Sequence, residues 1–199
     1  MPRRVDHQER RQRIAGALWR IASTRGLEGA SLRDVAAEAG ISLGQLQHYF
    51  ATREEMLRFT LEHFSALSGE RIRKRVATGY PEPTPRAVLR EIAAELLPLS
   101  EEQRVALRVQ LGYLVRVLHD EGLRPQAREG VLALRGLLAD QLRIAAERGE
   151  LTAGLDPERE AVRLLALTDG LANAVLLDVL APGAAMGLVD EHLGGVFGG

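Results

Sequence analysis

Gly40-Ile41-Ser42-Leu43-Gly44 satisfies G-x-S-x-G, the spacing that presents a serine as a nucleophile on a tight turn. Such an elbow needs a strand before the serine and a helix after it. The preceding segment, LRDVAAEA, has helical spacing and no β-branched run, so an esterase is only the alternative reading. Immediately downstream, Gln45, Gln47 and His48 offer a different chemistry. Their polar groups can hydrogen-bond base edges, Gln to adenine for example, and Arg33 and Arg53 on either side can neutralise phosphates. Other chemistry is scarce. The histidines (7, 48, 63, 119, 192) show neither H-x-x-x-H nor H-E-x-x-H spacing, and zero Cys excludes a thiol nucleophile, disulfides and cysteine-ligated zinc. Without a Walker loop or G-x-G-x-x-G, neither a metal nor a cofactor is expected.

These residues need a scaffold, and Ser31 to Phe50 supplies one. Val35, Ala39, Ile41, Leu46 and Tyr49 are spaced as the miniature core of two crossing helices, small Ala36 permits close approach, and Gly40 supplies the positive φ between them. The pattern is that of a helix-turn-helix. Ser31 and Ser42 stand as N-caps. Leu46 and Phe50, four apart, point inward, so Gln45, Gln47 and His48 face out. Thr52 with Glu55 forms a capping box that starts a fourth helix at Arg53.

The remaining elements follow from spacing and breakers. Residues 1 to 6 read as a flexible basic arm in which Arg3 and Arg4 could reach phosphate or the minor groove. A first helix runs from about His7 to Arg25, with Ile14, Ala17, Leu18 and Ile21 on one face, and stops at Gly26. The fourth helix continues through Leu57, Leu61, Phe64, Leu67, Ile72 and Val76 to about residue 78, before the Pro-rich turn from Gly79 to Pro85. Thr84-Pro85 caps a fifth helix to about Leu97, and Ser100 with Gln103 a sixth to about His119, with at most a short turn near Glu121. Pro125 opens a long helix ending at Gly149, Asp156-Pro157 another reaching Leu180, and Pro182 a short final one.

Composition agrees with an all-α chain, since 46% of residues are hydrophobic but only 4% aromatic, with Ala and Leu in periodic runs. No 18-residue uncharged apolar run occurs, so no membrane association is expected and the location should be cytoplasmic. The net charge of −1 conceals an asymmetry. Through Arg53 nine arginines face five acids, whereas the remainder holds 17 basic and 22 acidic residues. A basic end coincident with the helix-turn-helix is the field that phosphate binding needs.

AEAGIS, Gly44, Leu46, the Tyr49-Phe50 pair, Arg53 and Leu57 follow one another without a gap, and in this the stretch resembles the N-terminal domain of the TetR family of bacterial transcriptional regulators. Gln45 and Gln47 depart from it, standing where the family often has Thr and Tyr. More loosely, Gly149-Glu150-Leu151, Leu155-Asp156-Pro157-Glu158 and Asp169-Gly170-Leu171 resemble BetI-like C-terminal domains. The resemblance implies a three-helix DNA-binding domain over 1–53, joined by the fourth helix to an effector-binding and dimerising domain over 54–199. It implies a repressor, with activator as the alternative, working on double-stranded DNA. The DNA-binding residues expected are Arg33, Ser42, Leu43, Gly44, Gln45, Gln47, His48, Tyr49 and Arg53.

Two further sites are expected in the larger domain. An apolar effector cavity would be lined by Phe64, Leu107, Gln110, Leu111, Tyr113 and Leu114, with the polar pair Asp169 and Asn173. The helix from Pro157 is apolar nearly all round and must be covered on every face, which points to a homodimer. Ala166, Gly170 and Ala174 recur every fourth place, and Leu134, Leu138 and Leu142 have the same spacing on the companion helix. A two-fold four-helix interface of this kind would make the operator a near-palindrome.

Overall fold

A computed structural model describes residues 2–198, with the side chains of residues 1–6 and 28 outside the description. The element order is α1 (Pro2–Arg25), a 3-10 turn (Leu27–Gly29), α2 (Leu32–Glu38), α3 (Leu43–Tyr49), α4 (Arg53–Gly79), α5 (Pro85–Leu96) and α6 (Glu101–His119). A second 3-10 turn (Glu121–Leu123) leads into α7 (Arg124–Glu147), α8 (Pro157–Leu176) and α9 (Pro182–Val196). The chain is all-α, with no strand among the described residues. Helix α1 begins at Pro2, earlier than the expected His7, so the supposed arm is helical backbone, and any role for Arg3 and Arg4 side chains lies outside the described residues.

The chain forms two compact units. The first comprises the described residues up to Glu70 together with Arg108–Val115, the second Arg71–Leu107 and the residues from Arg116 onward. The boundary therefore falls inside α4, where 53/54 was expected, because Met56, Leu57 and Thr60 at the start of that helix are buried within the first unit. That unit is built on Ile14, Leu18, Val35, Leu46, Phe50 and Met56, all nearly without exposure. Trp19 stacks on Phe64 at 3.8 Å between centroids, and Gly112 of α6 lies where an added Cβ would stand 3.5 Å from Leu27.

The second unit packs α5, α7, α8 and α9 around Leu89, Ile92, Leu138, Leu142, Leu164, Leu171, Val175, Val189 and Leu193. Burial of Leu138 and Leu142, each 1% exposed, corrects their expected place in a dimer interface: they face this chain's own core. Helix α8 also ends before the expected Leu180. Asp178 adopts a left-handed φ of 56°, and the Val179 and Leu180 amides turn back to donate to the Ala174 carbonyl, which closes the helix.

An ionic ladder ties α4 to α5. Glu95, its side chain 5% exposed, accepts from Arg71 Nε (2.9 Å) and Nη2 (2.6 Å) and from Arg75 Nη1 (2.9 Å), while Arg75 Nε reaches Glu91 at 2.8 Å. Arg90 continues it to Asp190 of α9 with two bonds of 2.7 and 3.1 Å. Buried Glu160 of α8 is paired with Arg163 at 2.9 Å, and His192 Nε2 stands 2.8 Å from its other oxygen without a hydrogen bond between them.

Candidate nucleic-acid interface

The two short helices of the motif are closed by their own side chains. Ser31 Oγ accepts from the Asp34 amide at 3.2 Å while the Asp34 carboxylate takes the Ser31 amide at 3.1 Å and its hydroxyl. Those bonds hold the Asp34 carboxyl below its ordinary value, the Ser31 hydroxyl first among the causes. At α3 the same box is made by Ser42 Oγ, accepting from the Gln45 amide at 3.1 Å, and Gln45 Oε1, accepting from the Ser42 amide at 3.0 Å. Between the helices Gly40 adopts φ 68°, as its place in the turn requires.

Ser42 is thus a helix cap between two helices. A nucleophile elbow would instead place it at the end of a strand, and α2 stands there, so the G-x-S-x-G match has the wrong scaffold.

Burial sorts the face of α3 as expected. Leu46 and Phe50 are fully buried, whereas Gly44, Gln45, Gln47 and His48 are exposed and Leu43 and Tyr49 half-buried. The His48 ring stands edge-on to Tyr49 at 5.5 Å and to His7 of α1 at 6.5 Å. Arg33, Leu43, Gln47 and Arg53 line one open groove, together with Ala30, Ser31 and Leu32. Arg33 and Gln47 are exposed, and Gln47 has no hydrogen-bond partner among the described residues. The Asp34 amide in the first turn of α2 is taken by Ser31 Oγ, and Arg33 adds its own charge beside it.

Arg53 has a second duty that sequence reasoning missed. Its Nε donates to the Ala30 carbonyl at 3.0 Å and its Nη2 to the Leu27 carbonyl, which anchors the start of α4 to the chain entering α2. Arg11 was missed too. Its guanidinium lies 4.5 Å from the Phe50 centroid and 4.4 Å from that of Phe59, and donates to Glu55 at 2.9 Å. Glu55 in turn accepts from the Ala51 amide at 3.0 Å, and its own amide donates to Thr52 Oγ1 at 3.0 Å. No spacing rule connects residue 11 with 50, 55 and 59; only the fold does.

The expected effector residues divide between the two units, with Leu107, Asp169 and Asn173 in the second and the others in the first. Phe64 is occupied by Trp19, and Leu107 packs against the second unit's core. Gln110 and Leu114 are exposed, and Leu111 and Tyr113 half-buried. The Tyr113 hydroxyl is buried without a hydrogen-bond partner, and desolvation pushes it above the usual tyrosine value. Asp169 and Asn173 are exposed on α8, where partial desolvation also pushes the Asp169 carboxyl up. Of the expected dimer residues, Ala166 and Gly170 are exposed and Ala174 and Leu134 half-buried.

Residues 85–198 match the family model described as BetI-type transcriptional repressor, C-terminal, and residues 14–58 the one described as bacterial regulatory proteins, tetR family. The chain is 36% identical over 179 residues to the HTH-type transcriptional regulator PksA of Bacillus subtilis (strain 168), covering 89% of this chain and 84% of that protein. To the regulator BetI of Pseudomonas aeruginosa (strain LESB58) it is 30% identical over 187 residues, or 92% and 91% of the two. A transcriptional regulator from Rhodococcus sp. Rha1 shares the fold with a TM-score of 0.74 at 30% identity, over 94% of this chain and 95% of that one. One from Saccharomonospora viridis, solved in complex with choline, does so with a TM-score of 0.79 at 22% identity, over 92% and 95%. The chain therefore belongs to the TetR family of DNA-binding transcriptional regulators, with a C-terminal part of the BetI type.

Proposed function

We propose that the protein is a homodimeric repressor that holds a near-palindromic operator through α3 and is released by a small-molecule effector. The groove that gathers Arg33, Leu43, Gln47 and Arg53 carries this reading. Two arginines beside an uncommitted amide on the exposed face of a capped helix can hold a phosphate while the amide reaches a base edge. Ser42, Gly44, Gln45, His48 and Tyr49 complete that surface by their position on α3 or at its cap.

Pairing is supported by what α8 leaves uncovered. Val162, Ala166, Asp169, Gly170, Asn173 and Leu177 are exposed along it, and a Cβ added at Gly170 would meet nothing, so another helix can settle there closely. In this reading Asp169 and Asn173 belong to the pairing face and not to the effector cavity. On α7 the exposed apolar residues are Val131, Leu132 and Leu137, which take the part expected of Leu138 and Leu142. Two-fold pairing would present the recognition helices to successive major grooves roughly 34–36 Å apart.

For the effector, the Tyr113 hydroxyl is the strongest support, because it is buried without a partner among the described residues, at a cost that a polar group of a ligand would relieve. The same fold holds choline in the Saccharomonospora protein and stearoyl-CoA in a Bacillus subtilis regulator. Selection from a random-sequence duplex pool tests the reading directly: a near-palindrome should be enriched, and then released in a metabolite screen by a compound that also raises the melting temperature. Enrichment of a single asymmetric half-site would refute the paired arrangement.

A further inference from the structure

The two glutamines on the exposed face of α3 are not equivalent. Gln45 Oε1 accepts the Ser42 N–H at 3.0 Å. A backbone N–H can be accepted only by the oxygen of a side-chain amide, so the identity of the donor settles which way the Gln45 amide is turned. The reciprocal bond, from the Gln45 backbone N–H to Ser42 Oγ at 3.1 Å, closes the box. That oxygen is turned into the cap, with one of its two lone pairs spent there, so the group Gln45 presents outward is its NH2. Gln47 is exposed, lines the groove with Arg33 and Arg53, and keeps both its oxygen and its NH2 uncommitted.

We propose that Gln45 reads the operator as a hydrogen-bond donor only, against thymine O4 or guanine O6 and N7, and that the paired donor-acceptor contact with adenine belongs to Gln47. The proposal rests on the DNA-binding reading above and assigns base classes within it. Adenine opposite Gln45 offers N7 as an acceptor but sets its N6 amino donor beside the same NH2, guanine offers two adjacent acceptors, and cytosine presents only a donor in the major groove. A guanine or thymine is therefore selected at the Gln45 position. At Gln47 the amide can meet adenine N6 and N7 together, which reverses the assignment that an unconstrained Gln45 would have.

Gln45→Glu isolates this property, because glutamate keeps an oxygen for the Ser42 N–H, as capping boxes use it, while removing every donor. Selection from random-sequence duplexes should show the wild-type protein preferring thymine or guanine at one position per half-site by roughly five- to tenfold, the scale of one hydrogen bond. Gln45→Glu should change that position to cytosine, whose N4 amino group a carboxylate accepts, with the melting temperature unchanged. Gln45→Ala should lose preference at the same position, and Gln47→Ala should lose an adenine elsewhere. Adenine at the position that responds to Gln45, or a Gln45→Glu protein that enriches the wild-type sequence, overturns the proposal. A wild-type protein that enriches no sequence overturns the DNA-binding reading itself, so the two failures are distinguishable.

Discussion

Arg53 anchors two carbonyls and is proposed to hold a phosphate, and one pair of substitutions can separate the two roles. Its Nε and Nη2 donate to the Ala30 and Leu27 carbonyls, and its side chain also lines the groove beside Gln47. Charge-assisted bonds of this kind contribute up to about 3 kcal/mol each when fully buried, but Arg53 is half-buried and each is discounted to about 1 kcal/mol. The Leu27 carbonyl also accepts the Ala30 amide at 3.2 Å, so it keeps a partner when Arg53 is removed. Arg53→Ala is therefore expected to destabilise the first unit by about 1–2 kcal/mol, and Arg53→Lys, whose single ammonium reaches one carbonyl, by about half of that. Trp19 is the one tryptophan and stacks on Phe64 within that unit, so its fluorescence during urea unfolding reads this loss selectively. Loss of one phosphate contact should lower the slope of log K against log salt by about 0.9 in Arg53→Ala and leave it unchanged in Arg53→Lys. Fluorescence anisotropy on a non-specific duplex at several salt concentrations measures that. An unchanged slope in Arg53→Ala would remove the phosphate role, and an Arg53→Lys protein as stable as wild type would remove the anchoring role.

Other expectations follow from single elements. The Asp34 carboxyl is held low by Ser31, so its contribution to folding is present above roughly pH 4 and is lost as pH falls through the lowered folded value; Asp34→Asn, which does not titrate, should flatten the acid limb of Trp19-detected stability. Glu95→Gln sets an NH2 group among the guanidiniums of Arg71 and Arg75 and should cost about 1–2 kcal/mol, discounted because both arginines are more than a third exposed; circular dichroism should register it as earlier unfolding of the second unit, and an unchanged midpoint would remove the ladder from the stability of that unit. Gly170→Leu meets nothing within its own chain, so helicity should persist while sedimentation at micromolar concentration changes from dimer to monomer; a variant that still sediments as a dimer would exclude this face of α8.

Legibility in the sequence followed the range of the interaction. Caps are local, and Ser31, Ser42, Thr84, Ser100 and Asp156 all close their helices where turn chemistry placed them. The i, i+4 rule turned Leu46 and Phe50 inward and left Gln45 and Gln47 outside. It could not tell which apolar face of α7 belonged to the chain's own core, because Leu134, Leu138 and Leu142 share a spacing that either partner would satisfy. Burial of Leu138 and Leu142, with Val131 and Leu137 exposed, settles that choice. Asp178 ended α8 four residues early through a left-handed turn that aspartate tolerates but that no breaker announces. Contacts distant in sequence were invisible: Arg11 with Phe50 and Phe59, and Arg53 with Leu27, depend on helices that meet only after folding.

The turn at Leu27 is where Arg53 of α4 and Gly112 of α6 meet the chain that enters α2. Leu27 is buried with its side chain against Gly112 of α6, and its carbonyl receives Arg53 from the start of α4. Three residues later the Ala30 carbonyl takes the other arm of the same guanidinium, and Ser31 then caps α2. A displacement of α6 at Gly112 would thus press on an apolar side chain whose own backbone is held by a rigid planar fork, and the Arg53 side chain also lines the groove with Gln47. Packed side chains at this density shift together. A Cβ added at Gly112 would stand 3.5 Å from Leu27, an ordinary van der Waals contact, so α6 and Leu27 are neighbours with space for no more than a methyl group between them. Coupling between α6 and the recognition helix then requires no melting of either short helix: their capping boxes keep them intact while the turn that precedes them moves.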